Sequence, residues 1–321
     1  MPLAPLLALL AAAAPSLTLA PEAARPGDAV LVRVAGTGRE APRGTLGGRP
    51  LTFWRAGAEW RALAALPIET PAGELPAEAE AGGAALRATL RIVEPRFASR
   101  ALTLAPKYVE PPEAVKARIA ADRKAFADAY ARPFEPPAFA RPFALPRRAP
   151  TSGRYGDQRV LNGEKPSVHY GLDLTGPRGA PVAAANAGRV VLVRDAYLSG
   201  RSVVLWHGAG IYTLYFHLDR VDVRAGQVVR RGQRIGRLGS TGRSTGPHLH
   251  WSVRVDGLLV DPESLVAIDF ARGVAPARAP APAPAVASPA AVPTPTPAPA
   301  AVAAPATPIA PAAAGTPAAQ P

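Results

Sequence analysis

The chain has 321 residues, a formal net charge of +13 and no cysteine. The lack of cysteine excludes disulfide bonds and thiolate metal ligands, so any metal site must use imidazole or carboxylate groups. The positive charge suits an anionic polymer or a membrane surface as a partner. Because no RNA-reading or DNA-reading pattern is present, we expect no nucleic-acid binding.

The chain begins with an apolar, alanine-rich stretch that predicts a secretory signal peptide over residues 1–20. The stretch is shorter than the ~20 residues that a membrane-spanning helix needs. Small residues follow it, as a cleavage site requires, although no lysine or arginine precedes it. We therefore predict a secreted, periplasmic or cell-envelope protein without a transmembrane span.

Residues 21–105 predict a β-sandwich-like domain. Residues 29–34 form a continuous apolar run after a turn signal, and residues 51–54 and 60–66 are further candidate strands. Apolar and polar residues alternate over residues 86–92, which is the period of a half-buried strand. Several short strands separated by Gly and Pro turns favour a sandwich.

Residues 106–149 predict a helix followed by an extended connector. The helix is expected over residues 113–132, with prolines before its start and after its end. Its apolar residues recur at spacings of 4, 7 and 4 along one face: Val115, Ile119, Phe126 and Tyr130. We expect this face to pack on a neighbouring domain rather than to bind a separate partner.

Residues 150–270 predict a second β domain, and residues 271–321 predict a disordered Pro/Ala-rich tail. Seven short apolar segments are candidate strands: residues 182–185, 189–193, 203–206, 212–217, 227–229, 235–238 and 249–255. Gly and Asp separate these segments, which favours an antiparallel sheet over β–α–β units. The tail has no charged side chain beyond Arg278 and cannot form a packed core. The expected fold class is thus mainly β.

Four of the five histidines fall in three short patches of the second β domain. A catalytic zinc ion typically takes three protein ligands from His and carboxylate groups and keeps a fourth position for water. His169, Asp173 and His250 could supply those three ligands. His217 and His248 would then remain beside the metal, and the strand period places His248 and His250 on one face.

At these patches the chain resembles the lysostaphin-type (LytM-type) zinc metallopeptidases, which cut peptide cross-links of bacterial peptidoglycan. The family's H-x-x-x-D, Y-x-H-L and S-T-G-P-H-L-H signatures occur here in the family's order, within about residues 150–268. The resemblance implies that His169, Asp173 and His250 bind Zn2+. It also implies that the remaining histidines of these signatures, His217 and His248, are catalytic.

The resemblance implies a zinc-dependent endopeptidase that hydrolyses peptide stems or cross-links of peptidoglycan through a metal-activated water. His217 or His248 would accept the water proton, donate to the leaving amine or stabilise the oxyanion, and the sequence leaves the division of these tasks open. Candidate substrate-binding residues are Arg159, which could contact a peptide carboxylate, and Tyr215, which could instead belong to the core or the groove wall.

Two alternatives remain at this stage. One is a non-catalytic cell-wall regulator that activates an amidase, and the other is a plain wall-binding module. Relatives with the regulatory role usually lack one or more metal-site residues, whereas this chain keeps the whole set. One departure from many family members is Ser252, which stands where they carry an acidic residue.

Overall fold

The structure is a computed structural model that describes residues 14–270. Strands predominate over helices in this part of the chain, which confirms the mainly β fold class. The predicted tail at residues 271–321 and residues 1–13 of the predicted signal peptide lie outside the described residues. Between residues 14 and 270, no helix has the length and apolarity that a membrane crossing requires.

The upstream part of the chain forms two sheets that pack on each other. Their strands are β1 (Ser16–Ala20), β2 (Ala23–Ala24), β3 (Ala29–Ala35), β4 (Arg43–Leu46), β5 (Arg49–Pro50), β6 (Trp54–Ala56), β7 (Glu59–Ala65), β8 (Gly73–Ala81) and β9 (Ala84–Ile92). One sheet has the strand order β1-β3-β7-β6 and the other has the order β2-β9-β8-β4-β5. Val30, Val32 and Val34 of one sheet share a buried core with Ala77 and Leu90 of the other, so this part is a β-sandwich.

Two expectations for the sandwich are wrong. Ser16–Ala20, assigned to the signal peptide, forms strand β1, which pairs antiparallel with β3 and buries two leucines. Residues 16–20 therefore belong to the sandwich. Residues 51–53 are not a strand, because they connect β5 in one sheet to β6 in the other. Their apolar character reflects packing in the sandwich core rather than strand pairing.

A strand, two helices and the connector follow the sandwich: β10 (Ser99–Leu102), α1 (Pro106–Val109) and α2 (Glu113–Tyr130). Helix α2 confirms the predicted helix and ends two residues before its expected end. Its Ile119 is buried, and Phe126 and Tyr130 contact rings of the downstream sheet. The connector has neither helix nor strand, and its Phe143 is buried in the downstream core.

The downstream part contains the remaining strands and one helix. They are β11 (Thr151–Gly153), β12 (Gln158–Leu161), β13 (Lys165–Val168), β14 (Leu172–Thr175), β15 (Pro181–Ala183), β16 (Gly188–Ala196), β17 (Gly200–Trp206), β18 (Ile211–Val221), β19 (Val228–Val229), β20 (Arg234–Leu238), β21 (His248–Val255), β22 (Leu258–Val260) and α3 (Pro262–Ala267). Strands β10, β12 and β13 form a small sheet, and the others form a ten-stranded sheet whose main path is β11-β14-β21-β18-β17-β16-β19. Every strand pair of the large sheet is antiparallel, as predicted.

Strand β3 is covered on both faces and joins the two parts of the chain. Its Val30 and Val32 face the sandwich core, whereas Ala29 and Leu31 belong to the core of the large sheet. The backbone N–H of Ala29 also donates to Ser264 Oγ on helix α3, at 2.9 Å. The position of strand β3 thus explains its continuous apolar sequence, since a strand buried on both faces has no polar side.

Candidate functional site

The register of three neighbouring strands assembles the candidate site. Strands β14 and β21 pair so that Asp173 lies opposite His250. Strand β18 pairs with the other edge of β21 and places Phe216 opposite His250. Because alternate strand residues share a face, His248 lies on the same side of the sheet as His250. His169 reaches this point from the loop that precedes β14.

Three side-chain atoms converge at the centre of the site. His169 Nε2 lies 3.0 Å from Asp173 Oδ1 and 2.9 Å from His250 Nδ1, and the last two atoms are 2.9 Å apart. These separations are close to the ~3.3 Å expected between tetrahedral ligands whose bonds to zinc are ~2.0–2.1 Å long. The three residues form a candidate metal site within the described part of the chain.

The outer ring nitrogens of the two ligand histidines fix where their lone pairs point. His169 Nδ1 lies 2.8 Å from the Arg154 carbonyl oxygen, which can only accept, so Nδ1 carries the proton and Nε2 is free. His250 has the opposite tautomer, with its proton on Nε2. Ser252 Oγ donates to the Tyr170 carbonyl oxygen at 2.6 Å and therefore accepts from His250 Nε2–H at 2.8 Å, which frees His250 Nδ1.

The charge state of these groups suits a cation. The guanidinium of Arg159 lies 2.7 Å from Asp173 Oδ2, and this positive charge favours the carboxylate form of Asp173. Burial lowers the pKa of His250 to about 4, so the ring is neutral near pH 7. A carboxylate and two imidazole lone pairs directed at one point lack a donor, and a bound metal ion satisfies all three.

Two glycines give the site room. A Cβ atom on Gly171 would lie 2.7 Å from His250 Nε2 and from Ser252 Oγ, so a side chain there would break their hydrogen bond. A Cβ atom on Gly153 would lie 2.5 Å from the Arg159 guanidinium and 2.7 Å from Asp173 Oδ2. Both positions therefore exclude a side chain because polar groups of the site approach the backbone closely.

A β-bulge directs His217 into the groove. Between β17 and β18, Arg201 pairs with Leu218 and Val203 with Tyr215, so β18 has one extra residue at this point. His217 has a φ of +62°, in the left-handed region that a non-glycine residue seldom adopts. Regular alternation would place His217 beside Tyr215 in the core, and the bulge instead turns it to the face of His250.

His217 and His248 are adjacent and are anchored by the same kind of hydrogen bond. The Nδ1–H of His217 donates to the Thr241 carbonyl oxygen at 2.7 Å, and that of His248 donates to the Gly246 carbonyl oxygen at 2.9 Å. Each Nε2 therefore keeps its lone pair, and the two ring centroids are 4.9 Å apart. Burial, followed by the nearby rings of His248 and His250, lowers the pKa of His217 to about 3. His248 Nε2 lies 3.7 Å from Asp173 Oδ1, at the edge of the candidate metal site.

The two residues expected to bind substrate have other contacts. Tyr215 has no exposed surface, and its hydroxyl accepts from the Ala185 backbone N–H at 2.8 Å, so its expected substrate contact is wrong. Arg159 lines the groove, but its guanidinium donates to Asp173 Oδ2 at 2.7 Å. Arg159 thus holds the carboxylate oxygen that the histidines leave uncovered. Asp173 keeps one oxygen for a metal as a result.

Phe216 is a residue of the site that the sequence reasoning did not single out. Its ring stacks on His250, with centroids 5.6 Å apart and planes 7° from parallel. The alternation of side chains along a strand could have identified Phe216, because the residue after the buried Tyr215 faces away from the core. The site opens into a groove of about 560 Å³, lined by residues of the large sheet, the small sheet and the loop before β21. His207, by contrast, is fully buried away from this groove.

Comparisons with known proteins agree with this geometry. The model of peptidase family M23 matches residues 167–262, which include all five residues of the candidate centre. A crystal structure of a Pseudomonas aeruginosa protein assigned to peptidase M23 is similar to this chain with 30% identity and a TM-score of 0.56. That similarity covers 75% of this chain and 94% of the other, so it extends well beyond the stretch that the family model matches.

Two curated relatives resemble a shorter segment. The peptidoglycan DD-endopeptidase ShyB of Vibrio cholerae is 45% identical over 93 residues, or 29% of this chain and 22% of that protein. The DD-carboxypeptidase/endopeptidase Mpg of Neisseria meningitidis is 42% identical over 98 residues, or 30% of this chain and 23% of that protein. The chain therefore spans less than a quarter of the length of these curated relatives.

Proposed function

Because the chain belongs to peptidase family M23, we propose that it is a zinc-dependent endopeptidase that hydrolyses peptide stems or cross-links of bacterial peptidoglycan. The observation that carries the proposal is the convergence of His169, Asp173 and His250 beside two further histidines in an open groove. Two relatives named for cleaving bonds of the DD type support the substrate class. Such a substrate places the protein in the cell envelope, outside the cytoplasm.

The donor set favours zinc among the common metal ions. Two imidazole nitrogens and one carboxylate oxygen are typical ligands of catalytic zinc, whereas Ca2+ and Mg2+ prefer sites made of oxygen atoms. When bound in such a site, zinc supplies Lewis acidity that lowers the pKa of a water molecule and polarises the scissile carbonyl group. Ser252 and the Arg154 carbonyl oxygen hold the two ligand rings in the orientation that this binding needs.

His217 and His248 handle the protons of the reaction. Both are anchored through Nδ1–H and present an Nε2 lone pair, so either ring can take a proton from the attacking water at that atom. The same nitrogen, once protonated, can donate to the amine that leaves or to the oxyanion. The strained backbone of His217 keeps its ring in this position.

We expect single substitutions to separate metal binding from catalysis. Asp173→Ala should lose zinc, because the remaining two imidazoles leave the ion without its anionic ligand. His217→Ala and His248→Ala should each keep one zinc per chain and lose about 10²–10⁴-fold in hydrolysis, the usual size of general acid–base assistance. Elemental analysis gives the zinc content, and mass analysis of digested peptidoglycan gives the rate and the bond cut.

Asp128→Ala is the matched control, because Asp128 lies on the exposed face of α2 and its side chain bonds only to Lys124 among the described residues. It should keep both zinc and activity. If Asp173→Ala still bound one zinc per chain, the assignment of the metal site would be wrong. If the zinc-loaded native protein left peptidoglycan undigested, the proposed endopeptidase activity would be wrong. If that inactive protein stimulated a purified cell-wall amidase, the regulatory alternative would replace the proposal.

A further inference from the structure

Arginine side chains give the groove a positive wall. Arg100, Arg159 and Arg243 line it, and Asp173 is the one acidic residue among its described lining residues. Asp173 already accepts from Arg159 and belongs to the candidate metal site. The cationic charge of the wall is therefore not balanced from within the groove.

The three arginines differ in how their charges are satisfied. Arg100 donates to the Ser152 carbonyl oxygen at 2.6 Å and lies 3.6 Å from Asp157. Arg159 donates to Asp173, although its Nε is buried without a hydrogen-bond partner in the described structure. The guanidinium of Arg243 has neither an ion pair nor a hydrogen bond to any residue between 14 and 270.

The backbone at Arg243 is nevertheless held in a fixed position. Its N–H donates to the Leu198 carbonyl oxygen at 2.7 Å, in the tip of the β16–β17 hairpin. The preceding Gly242 has a φ of +72°, and a Cβ atom there would lie 2.4 Å from the Gly200 nitrogen, so the loop packs tightly on the hairpin. Burial, followed by the charge of Arg159, lowers the pKa of Arg243. A partly buried cation on a fixed backbone, with no ion-pair partner among the described residues, is typical of a site for an anionic ligand group.

We propose that Arg243, together with Arg159, forms a subsite that binds a carboxylate of the peptide substrate next to the cleaved bond. This inference rests on the proposed function and names a specificity determinant within it. A guanidinium matches a carboxylate in geometry as well as in charge, whereas an ammonium group matches it in charge alone. The subsite selects peptides with a free carboxylate and disfavours those in which the carboxylate is an amide.

The test uses two substrates that differ in one group. One is a stem-peptide dimer joined by a D-alanyl–diaminopimelate bond, with a free carboxylate on the carbon that bears the cleaved nitrogen. The other is the same dimer with that carboxylate converted to a carboxamide. We expect kcat/KM of the zinc-loaded full chain to be about 10- to 100-fold higher for the carboxylate form, the usual effect of a hydrogen bond to a charged group.

Arg243→Gln should abolish this preference, mainly by raising KM for the carboxylate peptide, while zinc content and thermal stability stay unchanged. Arg224→Gln is the matched control, because Arg224 is exposed outside the groove, and it should keep the full preference. Equal cleavage of the two peptides by the native chain, or an undiminished preference in Arg243→Gln, would overturn the subsite.

The product peptides give a readout that does not depend on hydrolysis. Calorimetry with the carboxylate and carboxamide products measures binding to the native chain and to Arg243→Gln. If the native chain cleaves neither dimer but still binds the carboxylate product about 10-fold more tightly through Arg243, the proposed function fails and the subsite stands. If cleavage occurs and product binding shows no such preference, the subsite fails and the proposed function stands.

Discussion

At the scale of single residues, hydrogen bonds at the outer ring nitrogens decide how the four site histidines are used. Backbone carbonyl oxygens accept from Nδ1–H of three of them: His169, His217 and His248. His250 is the exception, because its Nε2–H donates to the hydroxyl of Ser252. The serine that replaces the acid common in the family therefore still orients the ring.

Ser252→Ala should weaken metal binding without unfolding the protein. The change removes the acceptor that keeps the proton of His250 on Nε2, and losing such a partner of a ligand typically costs about 10- to 100-fold in metal affinity. Competition with a chromophoric chelator measures the zinc affinity. Ser152→Ala is the control, since Ser152 lines the same groove and its hydroxyl has no described contact with the ligands. Equal zinc affinities in the two variants would show that Ser252 does not support metal binding.

At the scale of elements, helix α2 supports the groove from the same face of the large sheet. Phe126 packs edge-on against Phe216, with centroids 5.7 Å apart, and Phe216 stacks on His250. Asp122 of the same helix is buried and bonds to Arg194 Nε at 2.5 Å and to the Tyr197 backbone N–H at 2.8 Å. The helix thereby fixes the β16–β17 hairpin, whose tip holds the loop of Arg243.

Asp122→Ala should destabilise the fold and loosen this hairpin. The substitution leaves a partly buried N–H and a partly buried guanidinium without their acceptor, which costs about 1–3 kcal/mol. Denaturant unfolding measures the free energy, and KM for peptide substrate should rise as the hairpin tip moves. Asp128→Ala lies on the exposed side of the same helix and should change stability by no more than about 0.5 kcal/mol. If both variants unfolded at the same denaturant concentration, the bracing role of Asp122 would be ruled out.

At the scale of the whole molecule, the sandwich and the large sheet share buried surface. Leu31 and Leu63 of the sandwich belong to the same core as Val253 and Phe270 of the downstream part. The Asp261 backbone N–H also donates to the Gly27 carbonyl oxygen at 2.7 Å. The sandwich is therefore a structural support of the domain that contains the site.

Leu31→Ala should lower the stability of both parts together. A Leu→Ala change in a packed core typically costs about 2–5 kcal/mol, and Leu31 is fully buried in the shared core. Hydrogen exchange followed by mass spectrometry should show faster opening, by the same factor, in β3 and in β18. Val228→Ala is the control, because Val228 is 64% exposed and should leave both rates unchanged. Faster exchange confined to the sandwich would show that the two parts unfold independently.

The sequence alone determined ten of the 22 strands in the described part of the chain, helix α2 and the positions that carry the candidate metal chemistry. These features depend on short-range patterns: alternation in strands, the spacing of apolar residues in helix α2, and ligand types at fixed separations. Asp173 and His250 are far apart in the chain, and the sequence did not predict strand β14, so only the structure shows the register that places them opposite each other. The roles assigned to these residues remain predictions until they are measured.

The tertiary structure alone decided the details that depend on long-range contacts. Strand β1 hydrogen-bonds to β3, a pairing that the composition of an apolar N-terminal stretch does not reveal. The bulge in β18 separates Tyr215 from His217, although strict alternation would place them on one face. Asp173 accepts from Arg159, whereas the guanidinium of Arg243 has no ion-pair partner among the described residues. In each case the deciding partner is distant in sequence, so periodicity and residue type contain no information about it.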